Sequence, residues 1–505
     1  MKSKYISKTL IIGSLVLSAY SCSLDRDPIS SVVIAETTAT DSIKYDTKEE
    51  MSSQYQALYQ KLKDRQEHWY LDLMLVAEAH ADNAYAGTTG SEVVPMEKNT
   101  IDGGNSVMTR DWNNYLADVA QANAVIENID AVPDETLTSA ERKQWKAEAK
   151  IFRAMVWFDM IRLWKNIPIV TKEAPNVTAE NILEVYPLYY PSQTKPEEAY
   201  AQIIKDLEDG IVDAPANNVA DKTILTKSVA KAMLAKVYAE KTARDYSKVL
   251  DYCNQVLADG FSLVNNYADL FALDEAGTDA KARSTSESIL EINYFTGGGN
   301  WVTWMFGRDL INFESNFTWA KWVTPSRDLI KDFTDEGDNI RLNQSVVYYA
   351  CTWSNYYPAT NYPFMYKCRS GVSSILKIRL ADIILLKAEA LANIGGTSNI
   401  TEAGGLVNQI RNRVKLANLT SVAYASKENM LDAILHERRL ELAFECQRWF
   451  DLVRYGKLED VMNNLNSRDS GRLPLVRPYS ENYELMPIPQ TVLDLNSNLV
   501  QNPGY

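Results

Sequence analysis

Only three histidines occur, His68, His80 and His436, and their neighbours bound the chemistry open to the chain. His436-Glu437 starts as a zinc-protease helix starts, where a second histidine four residues on shares the face and the glutamate acts as base. Leu440 stands at that fourth position, so the ligand pair is missing. Glu78, His80 and Asp82 alternate within a helical pattern, which fans their side chains around the axis instead of converging them on an ion. Cys253, Cys351, Cys368 and Cys446 form no C-x-x-C pair and fit no zinc spacing. Gly297-Gly298-Gly299 lacks the pattern of either phosphate-binding loop and reads as a turn. No G-x-S-x-G nucleophile elbow is present. A glycosidase needs two carboxylates across a bond, which spacing alone does not exclude among 66 acidic residues. Neither metal nor cofactor is implied, and the chain is expected not to be an enzyme.

The elements that would position any site are helices. Helical periodicity runs through 48–80, 109–130, 140–164, 196–210, 226–240, 245–258, 378–394, 402–416 and 427–454. The pair at 226–258 is the most telling. Ala230, Ala232 and Ala235 leave room for a close neighbour, and Tyr246, Val249, Leu250 and Val256 supply the facing stripe before Gly260. Small residues on one helix and large ones on the next mark tetratricopeptide-type hairpins. The predicted fold is mainly α: tetratricopeptide-like stacked helical hairpins, with irregular, aromatic-rich insertions and a few short strands.

At the N-terminus, Lys2, Lys4 and Lys8 precede the apolar run Leu10–Leu17, too short to span a bilayer and typical of a secretory leader. Ser18-Ala19-Tyr20-Ser21 leads into Cys22, and the chain then turns polar. This resembles a bacterial lipobox, which implies a signal peptide over 1–21, acylation of Cys22, a flexible spacer over 22–48 and a body over 49–505. Acyl chains on one cysteine suffice for stable anchoring without a membrane-spanning helix. Loss of the leader with its three lysines would take the net charge from −14 to −17. So acidic a body repels phosphate backbones, which argues against a nucleic-acid partner. An exported chain permits a Cys351–Cys368 bridge, whereas Cys253 and Cys446 fall in helical patterns as buried thiols.

Several ordered blocks resemble the SusD/RagB family of outer-membrane nutrient-binding lipoproteins. They are Ala230 to Phe271, Arg379-Leu380-Ala381-Asp382 through Ala390, Glu437-Arg438-Arg439-Leu440-Glu441 through Glu445, Arg448-Trp449-Phe450-Asp451 through Arg454, Leu485-Met486-Pro487-Ile488-Pro489 and the closing Asn502-Pro503-Gly504-Tyr505. Within 437–454, Arg438 stands three residues before Glu441, Glu445 three before Arg448 and Asp451 three before Arg454, each within reach on a helix surface. Charges so placed beside Phe444, Trp449 and Phe450 predict a partly buried ionic network that holds helices in register. Pro487 and Pro489 predict an extended strap.

Binding is then carried by aromatic residues. Four of eleven tryptophans lie within Trp301–Trp322, in an insertion that also holds Tyr294, Phe295, Phe306, Phe313 and Phe317. Flat rings pack on the C–H faces of pyranoses, and Asn300, Arg308 and Asn316 are placed to bond hydroxyls. Expected ligand contacts are Trp301, Trp304, Trp319 and Tyr294, joined through the family resemblance by Asn83 and Tyr85 of the 83–90 loop. The binding insertion is expected over 294–375, with secondary aromatic groups at Tyr186, Tyr189 and Tyr190 and at Trp353, Tyr356, Tyr357 and Tyr362. The resemblance implies capture of an oligosaccharide or polysaccharide and its delivery to a SusC-like TonB-dependent transporter at the outer membrane, facing the cell exterior. A helical-repeat protein that binds peptide or protein, and a carbohydrate-active enzyme, are the alternative readings.

The lipobox reading is tested by Cys22→Ala, which should abolish incorporation of labelled fatty acid and release the body from membranes. Acyl labelling that persists in the variant would contradict it.

Overall fold

A computed structural model describes residues 44–505 apart from 88–89, 298, 308 and 317–321; the leader, Cys22, most of the 22–48 spacer, Arg308, Phe317 and Trp319 lie outside the described residues. Several helices begin where the sequence supplies a cap. Thr47 and Thr138 each close a capping box with the glutamate three residues on, Glu50 and Glu141, so amides left open at the helix start are met by side chains. Asn105, Thr226, Asp245 and Ser426 cap the helices Ser106–Asn128, Lys227–Ala239, Tyr246–Ala258 and Lys427–Glu441.

These helices pack largely in sequence order. Ser106–Asn128 lies on Ser139–Trp164, which lies on Pro196–Asp213; Lys227–Ala239 and Tyr246–Ala258 follow, then Leu380–Ile394 and Thr397–Arg413. The fold is therefore mainly helical, with the stacked hairpins expected. Gly210 sits at a close approach, since a Cβ there would stand 2.6 Å from Ile151 Cγ1. Ala230, Ala232 and Ala235 are fully buried, as a closely packed hairpin demands.

Three two-stranded antiparallel ladders gather the irregular parts. β1 (Ala84–Tyr85) pairs with β3 (Thr324–Pro325), β2 (Ser288–Ile292) with β6 (Ile375–Arg379), and β4 (Val346–Tyr349) with β5 (Tyr362–Met365). Pairing of Ile292 with Ile375 closes residues 293–374 into one long excursion from a two-strand base.

The charged block differs from its predicted form. The helical pattern over 427–454 is two helices, Lys427–Glu441 and Arg448–Tyr455, separated by a turn in which Phe444 (φ 62°) and Cys446 (φ 60°) take the left-handed conformation. A non-glycine residue held there costs on the order of 1 kcal/mol or more, so the surroundings must over-determine it. They do so through charge. Arg379 donates from Nη1 to Glu441 Oε1 (2.6 Å) and Glu287 Oε1 (2.8 Å), and from Nε to Glu445 Oε2 (2.6 Å). Glu441 Oε2 accepts from Arg341 Nη1 (3.1 Å), and Arg413 donates to Glu441 and to Glu287 Oε2 (2.6 Å).

Of the three helix-surface pairs read from spacing, only Asp451–Arg454 forms, at 2.9 Å. Arg438 instead reaches Asp451 and Asp382, both at 2.8 Å, and Arg448 grips Asp82 with two hydrogen bonds of 2.7 and 2.9 Å. The partners lie on other elements because the chain turns between the helices. Cys351 and Cys368 are free thiols, so the permitted bridge is absent. Cys368 is buried and accepts from Asn300 Nδ2 at 3.1 Å, and burial pushes its thiol up to about 12. The C-terminal segment runs extended over the body: Met486 N donates to Leu163 O (2.8 Å) and Trp164 Nε1 to Pro487 O (3.0 Å).

Burial raises the pKa of Glu441, Asp82 and Asp382, but the arginines facing Glu441 and Asp82, and Lys236 with Arg438 facing Asp382, outweigh it and hold all three well below the ordinary carboxylate range. A depressed folded-state pKa contributes stability that is present above the unfolded value, about 4, and is lost as pH falls below it. Melting temperature should therefore fall between pH 5 and pH 3. Glu441→Gln should cost about 3 kcal/mol or more at pH 7, because three guanidiniums lose a shared buried charge, and its melting temperature should fall less steeply over the acid range. An unchanged melt at pH 7 would contradict the network's role.

Candidate functional site: an aromatic insertion beside a cleft

The insertion leaves β2 through Asn293 and Tyr294. Tyr294 is 1% exposed, and its hydroxyl donates to Lys63 O at 2.8 Å. Its side chain is thus a brace and not a surface, which corrects the expected ligand role. Phe295 turns outward instead and is 52% exposed, with the Arg283 guanidinium 4.4 Å and Lys63 Nζ 5.8 Å from its ring centroid. It forms one wall of a cleft of about 540 Å³ that also meets Tyr59, Lys63, Asp221, Arg283 and Asn293. That volume is in the range of small-ligand sites. Ser284, on the same cleft, stands at φ 50°, and its backbone N–H donates a hydrogen bond to Oε2 of the buried Glu291 carboxylate (3.0 Å).

Beyond the glycine turn, Asn300 is buried and donates from Nδ2 to Ser373 O at 2.9 Å. The polar group expected to bond a ligand is spent inside. Gln66, two residues past the first long helix, Lys48–Asp64, holds the segment, donating to Gly299 O and accepting from Val302 N, both at 3.4 Å. Trp301–Met305 then forms a single 3₁₀ turn. Three residues per turn place positions i and i+3 on one side, so Trp301 and Trp304 share a side. Trp301 is half-buried against the core, while Trp304 is 43% exposed. Gly307 ends this turn at φ 143°, where a Cβ would stand 2.7 Å from both Leu310 and Phe364.

The 83–90 loop is joined to the insertion but lies deeper than expected. Trp322 N donates to Met305 O (3.1 Å), and Thr324 pairs with Tyr85 across β1 and β3. Tyr85 is fully buried; its ring stacks on Tyr356 at 4.3 Å, and its hydroxyl donates to both Asp469 oxygens at 2.7 and 2.9 Å. Asn83 is buried between Glu78 (2.7 Å) and Arg439 (2.9 Å). Both positions, expected at the ligand face, are scaffold residues in this structure because the charged network and strand pairing enclose them. Tyr356 and Tyr357 are half-buried, their hydroxyls spent on Glu97 (2.6 Å) and Pro325 O (2.8 Å), and Tyr362 is buried. Tyr186 and Tyr189, each 47% exposed, belong to the separate helix Ile182–Tyr189.

Glu78, His80 and Asp82 do not converge on one point. Burial pushes the His80 imidazole down to about 3, so it is neutral and donates from Nδ1 to Met96 O at 2.5 Å while its ring packs on Trp449 at 4.2 Å. Burial pushes Glu78 up to about 7, and Asp82 is spent on arginines. Among the described residues, no three His, Cys, Asp or Glu side chains are placed to hold a metal ion, and no helix is long and apolar enough to cross a membrane.

Stacked hairpins that spend their charges internally and open aromatic rings beside a cleft have the build of a binding protein. Residues 361–505 match the SusD family model, and residues 25–239 match the model described as "Starch-binding associating with outer membrane". The chain belongs to the SusD/RagB family. Relatives include SusD-like protein P38 of Formosa agariphila, 26% identical and covering 94% of this chain and 95% of its own length. Starch-binding protein SusD of Bacteroides thetaiotaomicron is 24% identical, covering 74% of each chain. Among solved structures, a "Laminarin binding SusD-like protein" superposes with a TM-score of 0.69 at 23% identity, covering 91% of this chain and all of that one. A SusD superfamily protein from Bacteroides vulgatus gives 0.73 at 19% identity, with 91% and 100% covered. These structural matches carry the fold.

The different depths of the two tryptophans separate their roles. Trp304→Ala should melt within a few degrees of the parent. Trp301→Ala should lose about 2 kcal/mol, roughly half the cost of removing a fully enclosed ring. Equal melting temperatures for the two variants would contradict the placement.

Proposed function

We propose that the chain is a surface lipoprotein that captures glycan on the face carrying Phe295 and Trp304 and passes it to a partner TonB-dependent transporter without turning it over. The observation that carries this reading is the outward placement of those two large rings within one insertion, Phe295 on the wall of an open cleft. Sugar rings present C–H faces that stack on such surfaces. Lys63, Asp221 and Asn293 in the cleft are suited to hydroxyl groups. Trp301 and Trp319 join the proposed contacts, and Tyr294, Asn83 and Tyr85 keep an indirect part as braces of the two segments.

Two relatives point the same way, since one is named for binding starch and another for binding laminarin. Acylated Cys22 would hold the body at the outer membrane, and the spacer to residue 48 would let it move over the transporter. The delivery step rests on the family resemblance, and co-purification of the transporter with the tagged, lipidated chain tests it.

A glycan array on the leader-free protein identifies the ligand, and calorimetry then measures it. Phe295→Ala and Trp304→Ala should each weaken binding about thirtyfold, the effect of losing an anchor of about 2 kcal/mol, with no reducing ends released by any variant or by the parent. Unchanged affinity in both variants would move the site elsewhere, and turnover above a heat-denatured control would make the chain an enzyme.

A further inference from the structure

A second pocket lies away from the insertion, where the helix Lys227–Ala239 ends against the Arg448–Tyr455 helix and the C-terminal segment. It has a volume of about 150 Å³. Glu240 forms its polar wall. This residue follows the last turn of the Lys227–Ala239 helix, donating its amide to Val237 O at 3.1 Å, and it is only 9% exposed. Among the described residues its carboxylate accepts no hydrogen bond and forms no ion pair, and the residue lines both this pocket and a smaller one next to it that Lys236 and Arg454 share. The nearest cations are already committed. Arg162 is paired with Asp159 and clamped between the rings of Phe158 (4.3 Å) and Phe450 (4.0 Å); Arg454 is paired with Asp451 at 2.9 Å, and Lys236 with Asp382 at 2.5 Å. Burial accordingly raises the Glu240 pKa. Tyr200, 6% exposed, brings a hydroxyl to the same pocket, likewise without a partner among the described residues.

A buried carboxylate left without donors is costly, and an occupant that supplies them recovers that cost. We propose that this pocket binds one neutral sugar ring, or a polyol of that size, through hydroxyls donated to Glu240 and bonded to Tyr200. Size supports it: the volume lies below the roughly 300 Å³ at which drug-sized ligand sites begin, which suits a single small ring. Charge supports it too, because Arg162, Lys165 and Lys241 in the lining balance Glu240, Glu481 and Glu484 and leave no net charge to draw an ion, whereas hydroxyls bring donors and no charge. Phe450 and Leu485 give the apolar wall that a ring's C–H face requires.

The site is independent of the Phe295–Trp304 face, so the two readings fail separately. Saturation-transfer NMR titrations of the leader-free protein with glucose, galactose, mannose and myo-inositol, and with methylamine as the cationic control, test it. At least one neutral probe should bind saturably to the parent and equally to the Phe295→Ala/Trp304→Ala double variant. Glu240→Gln should weaken that probe at least tenfold while melting no lower than the parent, and Tyr200→Phe should weaken it severalfold. The proposal is overturned if no neutral probe saturates, if Glu240→Gln binds as the parent does, or if methylamine binds and the neutral probes do not.

Discussion

Three guanidiniums converge on the carboxylate of Glu441, and each arrives from a different element: Arg379 at the end of β6, Arg341 from the short helix Asn339–Ser345, and Arg413 from the end of Thr397–Arg413. None of these groups tolerates burial alone. Each therefore fixes the others, and the two-strand base from which the insertion departs is fixed with them, since Glu287, next to β2, takes hydrogen bonds from both Arg379 and Arg413. The left-handed turn at Phe444 and Cys446 is held because Glu441, ahead of it, and Glu445, within it, must both meet Arg379.

The network draws Arg341, Asp328 and Asp332 from the insertion and leaves its aromatic rings outside that duty. Its aromatic residues divide according to what they touch. Tyr362 and Phe364 pack under the insertion with Leu310, forming a small core of their own. Phe295 and Trp304 sit where backbone constraints turn them outward, one after a strand whose neighbouring tyrosine is pinned to Lys63, the other on a 3₁₀ turn bonded through Gln66. On the proposed reading, the ligand meets rings whose positions are set in advance, which lowers the ordering cost of association.

Helical periodicity made the scaffold legible, since caps, small alanine faces and apolar stripes are local signals. The charged block was legible as structural but not in its pairing. Spacing suggests partners three residues apart, and only tertiary structure brings Arg448 to Asp82 or Arg379 to Glu441. The insertion was legible as aromatic-rich, and Trp304 and Phe295 belong to it, yet nothing local distinguishes Tyr294, whose ring is sealed, from Phe295, whose ring is open. Alternation along an irregular segment depends on which residues the distant first helix engages. Lys63, Asp221 and Arg283 carry no sequence signal at all as a group, because they meet only when three separate segments fold together. Glu240 is equally silent in sequence, being one acid among 66 until its lack of a partner is seen.

The central claim is that the insertion carries recognition while the charged scaffold stays inert. Hydrogen exchange along the chain, measured on the leader-free protein alone and saturated with the tightest glycan from an array, tests it most directly. The account predicts slower exchange across 293–306 on binding and no change across Glu437–Glu445. Unaltered exchange at 293–306 with new protection over Ile182–Tyr190, the other exposed aromatic group, would contradict it.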